Sequence, residues 1–268
     1  MTDHDSDGSQ SNNPYIDTGA EVVGSLAGAG IGLAAAGPIG AIAGAAAGPL
    51  VALTIRKLVE DFRRRALSHR EVLRVDTVLT FAATKIQENI ASGQQIRQDG
   101  FFTAQLDGRS AGEEILEGIL ISAQREYEEK KLMYYGNLLA NIGFHPEISR
   151  AMANQLIRIA ERLLYRQMSL LAFVSLHPNE HGSGFKYNSD INSDLPTINI
   201  LEEIYDLTNQ GVLERTMSYD MYLGVSLPQL KIGAFGSKFF ELMELKDLDK
   251  SDIDEISTYI RFDPHHQN

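Results

Sequence analysis

Two stretches of this chain hold side chains whose types and spacing suit chemistry. His177 and His181 flank Glu180 in the segment HPNEH, and a three-residue gap between histidines resembles a metal-ligand spacing. Pro178 interrupts the segment and no further ligands accompany it, so it reads as part of a polar loop rather than a metal site. Glu126, Glu128 and Glu129 stand close together in QREYEEKK, residues 124–131. Carboxylates so placed suit acid–base work, but the spacing and the interleaved bases fit better the solvated face of a helix with ion pairs along it. The chain has no cysteine, which removes disulfides, thiol catalysis and thiolate metal sites. It contains no nucleophile elbow, phosphate loop, metal quartet or dinucleotide fingerprint. The expectation is a protein that is not an enzyme, with no metal and no cofactor.

The most distinctive stretch is built for packing rather than reaction. Val22 to Ile55 runs 34 residues without a charge. Glycine stands at Gly24, Gly28, Gly32, Gly40, Gly44 and Gly48, and alanine continues the four-residue step at Ala20, Ala36 and Ala52. On a helix that step makes one ridge of small side chains, along which two backbones approach closely. This is a glycine zipper, and the expected contact is self-association into a homo-oligomer. The step exceeds the helical 3.6, so packed helices favour a right-handed crossing. The length suffices for a bilayer core. The strongly apolar residues sum to only about −3 to −7 kcal/mol of insertion energy, and glycine and proline oppose helix. Insertion is therefore conditional: the segment can be held inside a soluble fold and released. Gly37-Pro38 divides it, giving either a helical hairpin, which we favour, or one kinked span. The competing reading is a buried Ala/Gly-rich helix pair in a soluble core.

The flanks orient the segment. Residues 1–21 carry five acids and no Lys or Arg. Residues 56–74 carry seven bases against three acids. The basic end is expected in the cytoplasm, with Arg56, Lys57, Arg63, Arg64 and Arg65 against lipid headgroups. The C-terminal region is then cytoplasmic too. The overall net charge of −12 argues against a nucleic-acid binder. A secretory signal is not expected, because the residues before the apolar run are acidic.

The remaining elements are read from caps and periodicity. Ser68-x-x-Glu71 and Ser110-x-x-Glu113 have the capping-box spacing. The first opens a helix to about Gly93, with Val72, Val75, Leu79, Ala82, Ile86 and Ile90 as its stripe. The second opens one long helix to about Gly143, with Leu116, Ile119, Ala123, Tyr127, Tyr134, Leu138 and Ile142 facing inward. A third spans about Glu147 to Leu176, either continuous or broken near Leu164. After the polar loop come a helix at 198–210, strands at 212–217 and 225–232 around a wing-like loop, and helices at 235–245 and 251–260. Helix, helix, strand, wing, strand, helix is the order of a winged-helix-like module. With 13 acids against six bases between Ile198 and Asn268, it reads as a protein-interaction or sensing module and not a DNA binder.

The expected fold is mainly α: a glycine-zipper helical hairpin, a helical bundle and a small C-terminal winged-helix-like α/β module. The expected divisions are a disordered acidic tail (1–19), the zipper membrane segment (20–56), the bundle (57–176), a polar linker (177–197) and the interaction module (198–268).

The order of parts resembles bacterial abortive-infection-type, phage-defence proteins. The stretches that carry the resemblance are the zipper at 24–48, YYGNLLANI at 134–142, AERLLYRQMSLLAF at 160–173 and LKIGAFGSKFFELMEL at 230–245. It implies an effector that damages the host cell's own membrane during infection, and no catalytic residue travels with it. The expected location is the bacterial inner membrane, or the cytoplasm until a trigger acts. The expected partners are membrane lipid, further copies of the chain, and a protein partner or trigger, with no nucleic acid. Two other functions fit the same residues: a membrane-tethered adaptor whose acidic C-terminal module recruits a protein, and a soluble winged-helix regulator.

Overall fold

Ser68 starts the first helix as its spacing predicts. Its hydroxyl accepts the Glu71 backbone N–H, and the Glu71 carboxylate accepts the Ser68 N–H at 2.7 Å. Helix α1 (His69–Ala91) ends at Ser92, and Gly93 comes next in the left-handed region at φ 87°. The computed structural model in which this is seen describes residues 62, 64, 65, 67–106, 108–177, 195–220 and 225–259. The acidic tail, the zipper segment with its six glycines, Arg56, Lys57, Arg63 and most of the polar linker lie outside these residues.

A second capping box, between Ser110 and Glu113, opens helix α2 (Ala111–Arg125). Here the chain departs from the single long helix expected from the sequence. Glu126 is extended (φ −70°, ψ 122°), and a 3-10 turn at Glu129–Lys131 leads into helix α3 (Leu132–Ile142). The reason lies in the composition of α3. LMYYGNLLANI is apolar nearly all round, and only a central position buries such a helix. The break turns α3 into the core, where every residue except Met133 and Leu139 is buried. Tyr127, expected on the inner face, is exposed in the break.

Helix α4 (Arg150–Arg162) starts at Ser149, whose hydroxyl accepts the Met152 N–H at 3.2 Å. The chain breaks at Leu163 and Leu164, and helix α5 (Tyr165–Leu176) comes after, buried from Met168 to Val174. The alternative of a break near Leu164 is the one realised. Helix α6 (Leu195–Asn209) ends at Gly211, at φ 70°. Strands β1 (Leu213–Asp220) and β2 (Val225–Ile232) pair antiparallel, with Leu213 opposite Ile232 and Asp220 opposite Val225. Helices α7 (Ala234–Met243) and α8 (Lys250–Tyr259) close the described chain. Among the described residues the fold is mainly α, with eight helices and one two-stranded sheet.

One hydrophobic core joins these elements. It runs from Phe62 through α1–α5 to Ile200, Leu207, Val212, Phe239, Leu242 and Ile256. Helix α3 is its axis. It meets α1 at Gly136, where an added Cβ would lie 2.6 Å from the Phe81 Cβ and 3.0 Å from the Ala82 nitrogen. It meets α7 through Asn137, which donates to the Met243 carbonyl at 3.2 Å, and Asn141, which donates to that of Leu242 at 2.9 Å. Those carbonyls belong to the last turn of α7, which has no helical partners for them. Asn141 also accepts from Asn89 of α1 at 2.9 Å.

The α1–α3 contact yields a test of this packing. Gly136→Ala pushes a methyl group into backbone atoms, and overpacking of that kind costs about 1–3 kcal/mol. Gly118→Ala, in α2, meets only the flexible end of Ile157 at 3.3 Å and gains helix propensity. Urea denaturation is expected to show Gly136→Ala clearly destabilised and Gly118→Ala close to the parent.

Candidate functional site

The densest polar chemistry among the described residues sits in the break between α2 and α3. Glu126 and Lys131 are 6% and 1% exposed, and the Lys131 Nζ lies 2.5 Å from the Glu126 Oε2. The same carboxylate accepts the Tyr135 hydroxyl at 3.3 Å and the Glu128 N–H at 3.0 Å. Burial, and then the negative charge of Glu126, push the Tyr135 hydroxyl well above its ordinary value, so it stays a donor. Glu129, also buried, takes a two-pronged bond from Arg70 of α1, Nε to Oε1 at 2.7 Å and a terminal nitrogen to Oε2 at 2.8 Å. Arg74 adds a contact at 3.4 Å and donates to the Gln124 carbonyl at 3.3 Å.

The other residues of the break reach further elements. Glu128 accepts the Tyr165 N–H at 3.0 Å, placing a carboxylate at the N-terminus of α5, where the helix dipole favours it. Lys130 pairs with Asp252 of α8 at 2.9 Å, and Asp252 also accepts the Tyr165 hydroxyl at 2.8 Å. Five of the six residues 126–131 thus tie α1, α3, α5 and α8 together. Each of the three glutamates is bonded to groups of the protein itself. This is the geometry of a clamp that positions the elements it joins.

The solvated helical face expected for residues 124–131 is therefore corrected. Glu126, Glu129 and Lys131 are buried, and the pairs to Glu129 and Lys130 run between elements rather than along one helix. Periodicity gave no warning. Ala123 and Tyr134 stand 11 residues apart, close to three turns, so the apolar stripe keeps its phase across the break. The run also contains only good helix formers after Tyr127.

The expected headgroup residues are placed in part. Arg64 is exposed. The Arg65 guanidinium lies 4.1 Å from the centroid of the Phe62 ring and 2.5 Å from the Glu117 carboxylate, which Arg109 also contacts. Burial opposes ionisation of Glu117, but these two arginines outweigh it and hold its carboxyl below the usual range. Phe62 itself is buried, so the body grips the chain only seven residues after Ile55. His177 contacts the Phe173 carbonyl at 3.0 Å, while Glu180 and His181 lie outside the described residues. Among the described residues, no three His, Asp or Glu side chains gather to hold a metal ion. Among them, too, no helix is long and apolar enough to cross a membrane.

The clamp makes a sharp energetic prediction. Lys131→Met leaves the Glu126 charge buried without its cation, which costs about 3–5 kcal/mol. The double variant Glu126→Gln with Lys131→Met removes both charges and is expected to regain most of that loss. A double-mutant cycle by chemical denaturation reads the difference directly.

Compared with known proteins, the chain matches no family model, no curated protein and no solved structure.

Proposed function

We propose that this chain is a membrane-active effector. Residues 20–56 enter the bacterial inner membrane as a hairpin turned at Gly37-Pro38, and copies associate along the glycine ridge to permeabilise it. The single observation that carries this reading is the uninterrupted four-residue step of Gly and Ala from Gly24 to Ala52 inside 34 uncharged residues. A buried hydrophobic helix needs no such strict spacing, whereas close backbone contact between helices does. The basic flank after the segment keeps the helical body on the cytoplasmic side. The resemblance to abortive-infection-type proteins makes the infected cell's own membrane the target. Within the body, α6, β1, β2, α7 and α8 serve as a winged-helix-like module that senses a protein trigger.

One observation favours a second reading, a tethered adaptor. Helix α6 exposes Leu195, Ile198 and Tyr205 along one side, with Glu202 and Asp206 also on its surface. An apolar stripe with acids beside it suits a protein partner. An adaptor of that kind leaves membrane permeability unchanged.

Substitution on the ridge separates the two. Gly44→Leu raises hydrophobicity, so membrane partition is retained, but its bulk holds packed backbones apart. Dye entry after induced expression is expected to fall strongly for Gly44→Leu and Gly40→Leu, less for Gly40→Ala, and little for Ile42→Leu off the ridge. Permeabilisation by Gly44→Leu equal to the parent, with normal partition, removes the pore and leaves the anchor.

A further inference from the structure

We propose that the face of the body around the α2–α3 break lies flat against an anionic bilayer surface. This rests on residues 20–56 entering the membrane, and it names a second, separate contact made by the folded body.

The tether imposes the first constraint. Phe62, which is buried in the core, is the seventh residue after Ile55, the end of the apolar stretch. Fully extended, seven residues span roughly 25 Å at most. Wherever the segment leaves the bilayer, the surface around Phe62 and Arg65 is held close to the headgroups. Arg65 reaches Glu117 in the second turn of α2, while the N-terminal end of α1 is joined to the α2–α3 break by the Arg70–Glu129 fork and to the C-terminal end of α2 by the Gln124 amide donating to Glu71 at 2.9 Å.

The bases of this face stand further out than the acids they pair with, in a chain that is acidic as a whole. The protein carries −12. In the fork, the Arg70 side chain is 46% exposed and that of Glu129 only 4%. The Arg65 side chain is likewise more exposed than that of Glu117, and Arg64 and Arg125 lie at the surface. A guanidinium has five N–H donors, and the fork to Glu129 uses two of those on Arg70. The remainder suit phosphate oxygens.

An aromatic ring completes the face. Tyr127 is 74% exposed in the break, two residues from Arg125. A ring with a polar tip sits favourably at headgroup level. Its chain neighbour Glu126 is held in the buried pair with Lys131.

The chain has no tryptophan, so Tyr127→Trp gives the full-length protein a single fluorophore on the face. Tyr205→Trp, exposed on α6, gives one elsewhere. Each variant is mixed with vesicles of brominated phosphatidylcholine, with and without phosphatidylglycerol. The expected result is a blue shift and quenching of tryptophan at 127 that grows with anionic lipid and fades with salt, and no such change at 205. Adding Arg64→Gln and Arg125→Gln is expected to lower the docked-to-undocked ratio by roughly fivefold per charge, while sedimentation with vesicles persists through residues 20–56. Sedimentation without quenching at 127, or with equal quenching at 127 and 205, overturns the docking face alone. Failure to sediment at all overturns the membrane reading on which it rests.

Discussion

The architecture depends on one ion pair taken out of water. Lys131 and Glu126 are both buried, 2.5 Å apart, at the point where the chain stops being one helix and becomes two. Desolvating two charges is expensive, and their attraction repays it only with good geometry and further hydrogen bonds. Both conditions are met, since the carboxylate also receives the Tyr135 hydroxyl and the Glu128 N–H. We attribute to this pair a geometric role more than a stabilising one. It fixes where α2 ends, and so the direction in which α3 enters the core. The close contact of α3 with α1 at Gly136, and the asparagine bonds to the end of α7, both depend on that direction.

The local signals in the sequence translated well into local structure. Both S-x-x-E capping boxes form, Gly93 and Gly211 sit after helix ends in the left-handed region, and the two strands pair near the positions their residues suggest. The α2–α3 break was not legible, for two physical reasons. The apolar stripe stays in phase across it, and the residues within it favour helix. What breaks the helix is tertiary: Arg70 and Arg74 from α1, Tyr165 from α5 and Asp252 from α8 compete for the charges of residues 128–130. No window of sequence around Glu126 contains those partners. For the same reason the charged run read as a solvated face, when Glu126 and Glu129 are the most enclosed carboxylates among the described residues. Arg65, read as a lipid contact, also holds Glu117 and covers Phe62. The glycine ridge belongs to residues outside the described fold, so its reading stands on the spacing alone.

The body and the apolar segment divide the work of the proposed function. The segment supplies a surface for self-association, and its small side chains matter more than its modest hydrophobicity. The body supplies a stiff unit gripped at Phe62, close to the segment's end. Fractionation of cells at the onset of dye entry tests the central claim most directly, comparing the full-length chain with a deletion of residues 20–55. The account predicts the full-length chain in membranes, resistant to alkaline carbonate, and the deletion released from membranes by high salt with no dye entry. Dye entry caused by the deletion variant, or a full-length chain found in the cytosol while dye enters, would contradict it.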